Sequence, residues 1–584
     1  MGIPGSALRC AGVLGFALAL FTGCGGGSLV AGGGSSGPGS SSPGPSSSQV
    51  TVPNVVGQTQ SAATDALTSA DLVVGTVTVQ SSSTVPSGSV ISENPAAGTL
   101  ASAGTAINLT VSSGPVQSVG SAPPPLSSVN LNLIFVVSED LAYQASGDVN
   151  AQTANLTNQG LYRSLQMGTY LQQSVLGGNN ATGISALEPM THLQTPGNSP
   201  DMAALETIQQ FALLNHITIS SNASGGDPLP GNSFPIDVSY APPPVTLPSG
   251  VATPLLDCPS CQGLDFNDQN GDNEALVNSI VSAGAPGFYV FSAPWEVVST
   301  LLDNVNRSHS YDLNLPPSYA GPNYIYAISI PPSGTASLVT FNSNLNPPSA
   351  YPALPSPVAS GNSCAAAPFS ITVTGGTRRA VIPAGINTDE TVYIVRHAEA
   401  HPELNWDDGN LICAGQWRAL DLPNALRGKI SPQVVYSLDP AQVNPGSISA
   451  SSRSNWSYVR PALTVEPYAI ANNLPYYLVA GIELRAQNPP QPATQVSDFF
   501  FTGGKFSSQN VLLSWEHSHI PTTIRALISS YYPNGGAPNV PSWEDDDYDS
   551  IWTVTLDGNG NLTVDNNLCE GIVSANLPPA CPAF

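Results

Sequence analysis

The chain has 584 residues, of which only 9% are charged, and its formal net charge is −25. Ordinary soluble proteins carry about 25% charged residues, so this composition, rich in Gly, Pro and small polar residues, is typical of an exported protein. A strongly acidic chain repels phosphate backbones, because nucleic-acid binding needs clustered Lys and Arg. We therefore expect no nucleic-acid partner.

The first element along the chain is an export signal. Arg9 precedes an apolar run of about 14 residues, which is too short to span a bilayer and has the size of a signal-peptide core. The run ends in LFTGC, which resembles the lipobox of bacterial lipoproteins, although Phe21 stands where Leu is commoner. The resemblance implies a signal peptide over 1–23, a lipid on Cys24 as the only membrane attachment, and an outer-membrane location. An ordinary signal peptide with an incidental Cys is the alternative.

Cysteine usage agrees with an oxidising compartment. Beyond Cys10 and Cys24 the chain has an even set, compatible with disulfides of open connectivity: Cys258, Cys261, Cys364, Cys413, Cys569 and Cys581. Cys258 and Cys261 have the spacing of a redox motif, but no helical pattern follows them. A small disulfide loop is therefore favoured over an oxidoreductase site.

A small domain follows a flexible linker. Residues 24–49 are rich in Gly, Ser and Pro and predict the linker. Residues 50–115 show the pattern of strand, turn, short helix and two alternating strands. The segments VPNVVG (52–57), PSGSVI (86–91) and NPAAG (94–98) resemble a PASTA domain. The resemblance implies a small α+β module that faces the cell wall, with peptidoglycan as its partner; a rigid spacer without a ligand is the alternative.

The rest of the chain is internally repeated. The segments NLTNQGLYRSL (155–165) and NLICAGQWRAL (410–420) share Asn-Leu, Gly, Arg and Leu at equal spacing, and each follows an apolar run. Predicted strands and helices alternate in the same order in both copies, which indicates two α/β units with largely parallel sheets. A second linker is predicted at residues 116–128. The first unit is predicted at 129–355 and the second at 390–584, with residues 356–389 as the segment between them.

Residues suited to phosphate chemistry occur in the second copy. Arg396 and His397 follow a predicted strand, where an open α/β sheet places its ligand site. Arg460 opens a helical segment with Thr464 four residues on, and His517 follows another strand. This ordered set resembles the histidine phosphatase superfamily, which includes phosphoglycerate mutase-like enzymes. The resemblance implies two tandem three-layer α/β/α domains with mostly parallel sheets, no cofactor or metal, and a phosphorylated small molecule or phosphoprotein as substrate.

The roles of these residues follow from charge and lone pairs. Guanidinium groups bind a phosphate dianion bidentately, which suits Arg396 and Arg460. A neutral imidazole can attack phosphorus if its other nitrogen is held by a hydrogen bond. His397 is therefore the predicted nucleophile, which forms a phosphohistidine. His517 is the second imidazole, which donates to phosphoryl oxygens as charge develops on them.

The proton donor for the leaving alcohol is left open. His517 is followed by Ser518, whereas the acid-phosphatase branch of the superfamily has Asp there. The mutase-like branch takes its acid from the segment after the Arg-Thr helix, which favours Glu483. Glu516, next to the second imidazole, is the competitor.

The first copy lacks this chemistry. Ser138 and Glu139 are predicted opposite the Arg-His pair, Ala203 is predicted opposite the helix arginine, and GFYVFSAPW contains no His. Of the 14 basic residues, 11 fall between Arg378 and Arg525, outside this copy. The first copy is therefore predicted to be a pseudophosphatase.

Other uses of these residues are disfavoured. Four imidazoles could form a zinc site: His397, His401, His517 and His519. However, the segment HAEAH does not match the zinc-protease pattern HExxH, and Pro402 breaks any helix there. Residues 543–549, WEDDDYD, are predicted as a solvated acidic turn. An extracellular mutase would need a second substrate. The main alternative to a phosphatase is a wall-binding scaffold with two pseudophosphatase domains.

Overall fold

The structure is a computed structural model of the chain. It describes residues 49–80, 82, 84–85, 89–112, 122–140, 147–187, 189–194, 199–214, 237–238, 264–268, 271–358, 364, 366–375, 385–400, 410–438, 443–444, 456–457, 459–479, 493–532 and 539–584. Within these ranges, no helix has both the length and the apolar character that crossing a membrane requires.

The N-terminal domain is a small α+β unit. Its elements are β1 (Gln49–Thr51), α1 (Gln60–Ser69), β2 (Val73–Gln80), β3 (Val90–Asn94), β4 (Leu100–Ser102) and β5 (Ala106–Ser112). Strands β2, β5 and β3 form one sheet in that order, and β1 pairs with β4. Helix α1 is capped by Thr59, whose hydroxyl accepts from the backbone N–H of Ala62 at 3.3 Å. It buries Ala63 and Leu67 against Val55 and Ile107, so the short helix is stabilised by the sheet it covers.

The first α/β repeat follows. Its elements are β6 (Leu131–Val137), α2 (Asn158–Tyr170), β7 (Gly183–Ala186), β8 (Leu193–Gln194), β9 (Ser199–Pro200), α3 (Ala203–Leu214), β10 (Asp237–Val238), α4 (Asp272–Ala283), β11 (Gly287–Ala293), α5 (Trp295–Ser308), β12 (Tyr324–Ile330) and β13 (Ser337–Asn342). Strand β6 is buried at every residue, as expected of a central strand covered on both faces.

The second α/β repeat has the same succession of long elements. Its elements are β14 (Ser370–Val373), β15 (Glu390–Arg396), α6 (Cys413–Ala425), β16 (Val434–Leu438), β17 (Val443–Asn444), β18 (Trp456–Ser457), α7 (Arg460–Ala471), β19 (Tyr476–Val479), α8 (Ala493–Phe501), β20 (Asn510–Trp515), α9 (His519–Tyr531), β21 (Ser550–Leu556) and β22 (Leu562–Cys569). Residues 356–389, expected as a linker, contain β14, which pairs with β22 at the edge of this sheet.

The two large sheets share one strand order. The first runs β10-β7-β11-β6-β12-β13, and the second runs β19-β16-β20-β15-β21-β22-β14. In each sheet the first four strands are parallel and the strands that follow are antiparallel. The sheets are therefore mixed, because each repeat ends in an antiparallel hairpin. The prediction from sequence was of mostly parallel sheets.

Helices from both repeats pack against one another. Helices α2 and α7 are in contact, as are α3 and α6. One hydrophobic cluster joins Leu205 and Phe211 of α3 to Ala419 of α6 and Leu463 of α7. Because the facing helices occupy equivalent places in the two repeats, the contact has the form of a two-fold interface within a single chain.

Two disulfides tie the C-terminal segment to earlier parts of the chain. Cys364 bonds to Cys569 and Cys413 bonds to Cys581, which fixes the start of α6. This pairing resolves part of the connectivity that the sequence left open. The pair at 258 and 261 lies outside the described residues.

Candidate active site

Sheet register places the Arg-His pair at the C-terminal end of a central strand. Arg396 is the last residue of β15 and pairs with Trp515, and the His397 amide donates to the Trp515 carbonyl at 2.9 Å. In the first repeat Val137 pairs with Ala293 in the same way, and the Ser138 amide donates to the Ala293 carbonyl at 3.0 Å.

This register corrects the predicted correspondence between the copies by one residue. Val137, not Ser138, lies opposite Arg396, and Ser138, not Glu139, lies opposite His397. The two apolar runs that precede these pairs contain no marker of register, so their alignment by sequence can slip by one position. A slip of one residue exchanges the two faces of a strand.

His397 is held in one tautomer. Its Nδ1 lies 2.8 Å from the carbonyl oxygen of Ala398, and since a carbonyl can only accept, Nδ1 carries the proton. The lone pair is therefore on Nε2. The side chain is 4% exposed, and burial, followed by the charges of Arg396 and Arg460, holds the pKa of His397 well below its usual value. A lowered pKa favours the neutral form of this imidazole.

Helix α7 is positioned through Thr464. The Thr464 hydroxyl accepts from the Ala398 amide at 2.8 Å and donates to the Arg460 carbonyl at 2.8 Å. The Arg460 Nε donates to the carbonyl of Asn410 at 2.8 Å. These bonds join the loop after β15 to the first turn of α7, so Arg460 and His397 lie in the same region of the structure.

Glu516 orients both imidazoles that follow β20. Its Oε1 lies 2.7 Å from Nδ1 of His517, and its Oε2 lies 2.6 Å from Nδ1 of His519. Burial alone would raise the pKa of Glu516, but these two histidines hold it well below its usual value. An ionised carboxylate cannot donate a proton, so this arrangement disfavours Glu516 as the general acid.

The acidic segment 543–549 was expected to be a solvated turn, and Glu544, Asp545 and Asp546 are exposed in the structure, but the segment also contacts the candidate site. Arg396 Nη1 donates to the Asp545 carbonyl at 2.5 Å and Nη2 donates to the Tyr548 hydroxyl at 3.2 Å, with the guanidinium carbon 3.9 Å from the Tyr548 ring centroid. Nε2 of His517 lies 3.1 Å from Oδ1 of Asp545. The segment thus occupies donors that a phosphate would use. Its composition alone gave no signal of this packing, because acidic turns are usually solvated.

A buried ion cluster lies under the site. Arg418 donates to both oxygens of Glu399 at 2.7–3.0 Å and to Glu570 at 2.5 Å. Arg163 at the equivalent place in α2 pairs with Asp148. Arg418 is fully buried and turned away from solvent, so it supports the loop after β15 and is not a phosphate ligand.

The repeated glycine of the two motifs has the same structural cause in both repeats. A Cβ on Gly415 would collide with the carbonyl of Glu399, and one on Gly160 would collide with the carbonyl of Asp148. The helix after the first strand therefore approaches the loop closely in each repeat, and only Gly permits the approach.

The corresponding end of the first sheet lacks the phosphate-binding groups. Ser138 stands at the position of His397, and Trp295 stands at the position of His517 after the equivalent strand. Glu139 accepts a hydrogen bond from the Tyr319 hydroxyl at 2.7 Å, and the α3 residue opposite Arg460 is Ala203.

Several sequence predictions fall on residues that the structure does not describe. They are the lipidation residue Cys24, His401 of the disfavoured zinc site, and the proposed acid Glu483. These predictions stay predictions.

Comparison with known proteins supports the N-terminal assignment. The PASTA domain family matches residues 50–113, so this segment is a PASTA domain. No curated protein matches the chain. One solved structure with a match is the extracellular region of the Ser/Thr kinase PrkC from Staphylococcus aureus, with 18% identity, a TM-score of 0.11, and 15% of this chain and 27% of that chain covered.

A second solved structure also matches the chain. It is assigned as the phosphohistidine phosphatase SixA from Agrobacterium tumefaciens, with 17% identity and a TM-score of 0.19. The match covers 29% of this chain and 93% of that one.

Proposed function

We propose that residues 390–584 form a phosphomonoester hydrolase that acts through a phosphohistidine on His397. The observation that carries the proposal is the tautomer of this imidazole, because the Nδ1 bond to Ala398 leaves the Nε2 lone pair for attack. Arg396 and Arg460 supply the positive charge that a phosphate dianion needs, and the pKa of His397 responds to both.

The proposed reaction has two displacements at phosphorus. Nε2 of His397 attacks, a P–N bond forms, the P–O ester bond breaks, and the alcohol leaves with a proton from a general acid. Water then attacks as it returns a proton to that acid, the P–N bond breaks, and phosphate is released as the imidazole regains its lone pair. Glu483 remains our proposed acid, and Asp545 is a described carboxylate whose Oδ1 lies 3.1 Å from Nε2 of His517.

We propose an exported protein that is anchored to the outer membrane by a lipid on Cys24. Its PASTA domain would hold the catalytic unit near peptidoglycan. The first α/β repeat, residues 129–355, would serve as a pseudophosphatase that packs against the catalytic repeat. The substrate would be a phosphorylated small molecule or a phosphoprotein of the envelope, and no nucleic acid is expected, given the net charge of −25.

One observation favours a second candidate function. The backbone of the acidic segment already accepts hydrogen bonds from Arg396, and Asp545 already contacts His517. If the segment never leaves, the repeat is a non-catalytic pseudophosphatase and the chain is a wall-binding scaffold.

Hydrolysis of para-nitrophenyl phosphate by the full chain separates these candidates. This substrate has a good leaving group and needs little acid assistance, so the result does not depend on which residue is the acid. We expect His397→Ala to lower kcat by about 10³-fold or more, as removal of a nucleophile does. The control His309→Ala changes a histidine of the other repeat, whose Nε2 contacts Asn278 at 3.2 Å, and should keep full activity. Equal rates in wild type and His397→Ala, or no release at all, would refute the enzyme.

A further inference from the structure

A second polar cluster lies at the equivalent end of the first sheet. Asp140 follows β6 by three residues, His192 follows the short helix Pro189–Thr191, and Asp201 precedes α3 by two residues. Parallel strands bring these connections to one edge, as they bring the phosphate-binding residues together in the second repeat.

The three side chains converge. His192 Nδ1 lies 2.7 Å from Oδ2 of Asp201 and 3.6 Å from Oδ2 of Asp140, and the three candidate ligand atoms are all within 4.8 Å of one another. Ligand atoms about 2.0–2.2 Å from one zinc ion lie roughly 3–4 Å apart, so only a small movement would let all three bind the same ion. The His192 ring stacks on Phe266 with centroids 3.6 Å apart, which fixes the plane of the imidazole.

The cluster is short of positive charge. Asp140 is 4% exposed and Asp201 is 0% exposed, and His192 is the one imidazole between them. Arg163 and Arg307 are the only Lys or Arg residues in the sequence from 130 to 360, and they pair with Asp148 and Asp303. Buried carboxylates are stable when paired or when they bind a metal.

The buried hydroxyl of Ser138 is an independent observation that points to a bound ion. Side chains alternate along this segment: Val136 packs in the cluster that contains α3, whereas Val137 packs with Tyr319, the partner of Glu139. Ser138, which follows β6 directly, therefore lies on the same side as Val136, the side of α3. Its hydroxyl is buried, since the residue is 2% exposed, and it has no hydrogen-bond partner among the described residues. A buried hydroxyl is normally satisfied, and a metal ion or its bound water would satisfy this one.

We propose that the first α/β repeat binds one divalent first-row metal ion through Asp140, His192 and Asp201, with Ser138 at the edge of the coordination sphere. Imidazole and carboxylate ligands together suit Zn²⁺ or Mn²⁺ better than Ca²⁺, which takes oxygen ligands only. The ion would join the end of β6 to the start of α3, the helix that packs against the second repeat. The proposal does not depend on the proposed phosphatase activity.

Calorimetric titration with Zn²⁺ tests the proposal on the full chain after chelation and dialysis. Cys258→Ser/Cys261→Ser serves as the background, so that this cysteine pair cannot bind the ion. We expect one equivalent to bind, and we expect His192→Ala and Asp140→Asn each to weaken binding by at least about tenfold. His309→Ala, also in the first repeat, should bind as the background does.

Thermal unfolding gives a second readout that does not depend on calorimetry. A ligand that binds only the folded state raises the Tm, so Zn²⁺ should raise the Tm of the background chain and not that of Asp140→Asn. Binding that is equal in the background, His192→Ala and Asp140→Asn would place the ion elsewhere. No binding at millimolar Zn²⁺ would show a hydrogen-bonded Asp-His-Asp cluster without a metal. Either result would overturn the proposal.

Discussion

Contacts of single residues decide whether the site is open to a phosphate. Arg396 donates to the carbonyl of Asp545, and His517 contacts the Asp545 carboxylate, so both side chains are engaged by the acidic segment. A substrate dianion would have to displace this carboxylate, whose side chain is 88% exposed and therefore only weakly held in place by packing. The segment acts as a competitor for the site, and its removal should favour binding.

Asp545→Ala should lower the KM for para-nitrophenyl phosphate by about tenfold. The change removes the hydrogen bond between the Asp545 carboxylate and His517, and it removes a negative charge that repels the dianion. The measurement is steady-state kinetics at constant ionic strength. Asp546→Ala removes an equal charge from the next residue of the same turn and should change KM less. An unchanged KM in Asp545→Ala would show that the carboxylate does not compete. A loss of kcat on alkyl phosphates alone would identify it as the general acid.

Gly415 lies where the backbone of helix α6 closely approaches the loop after β15. A Cβ there meets the carbonyl of Glu399, so Gly415→Ala should destabilise the fold by about 1–3 kcal/mol, the usual cost of overpacking. Gly183→Ala is the matched control, because its Cβ would lie 3.7 Å from Tyr289, at ordinary contact distance. Urea unfolding of both variants measures the difference. Equal stability of the two would contradict the packing account.

At the scale of elements, the helix layer between the repeats contains buried carboxyl groups. Glu466 of α7 accepts from Gln209 of α3 at 2.6 Å, and Glu206 accepts from the Leu156 amide at 2.7 Å. Burial raises the pKa of both carboxyls above the usual value, and the negative charge of Glu466 raises the pKa of Glu206 further. A carboxyl with a raised pKa contributes stability below its unfolded pKa and loses that contribution as the pH rises through its folded pKa.

Glu466→Gln should therefore flatten the alkaline side of the stability profile. The wild type should lose free energy of unfolding as the pH rises from the usual carboxyl pKa of 4.5 to the folded pKa of Glu466, about 8, whereas the variant, which cannot ionise at residue 466, should lose less. Urea unfolding at several pH values measures this, with Glu274→Gln on the partly exposed side of α4 as the control. Parallel profiles for wild type and Glu466→Gln would show that the interface carboxyls do not ionise in this range.

The sequence predicted the order of elements well, because hydrophobic runs and the repeated Asn-Leu-Gly-Arg spacing are local signals. The strand and helix contexts also predicted that four residues lie near one another: Arg396, His397, Arg460 and Thr464. It could not set the register of Val137 and Ser138 within a uniformly apolar strand. Nor could it show that residues 543–549 fold over the site, because that contact depends on a tertiary path and not on a local pattern.

At the scale of the whole molecule, one chain combines a PASTA domain with two α/β repeats of equal strand order. The repeats differ in charge at the same edge of the sheet: the second gathers Arg396 and Arg460, and the first gathers Asp140 and Asp201. Under the proposed function, only the second repeat would bind phosphate at this edge. Our account depends most on the role assigned to His397.

Direct detection of the covalent intermediate tests that role. Wild type mixed with excess para-nitrophenyl phosphate and quenched in alkali, where phosphohistidine survives, should carry one phosphoryl group on the peptide that contains His397. His397→Ala should carry none and should release no phosphate, while His309→Ala should match wild type. Phosphate release without a phosphoryl group on that peptide, or with the group on another side chain, would contradict the account.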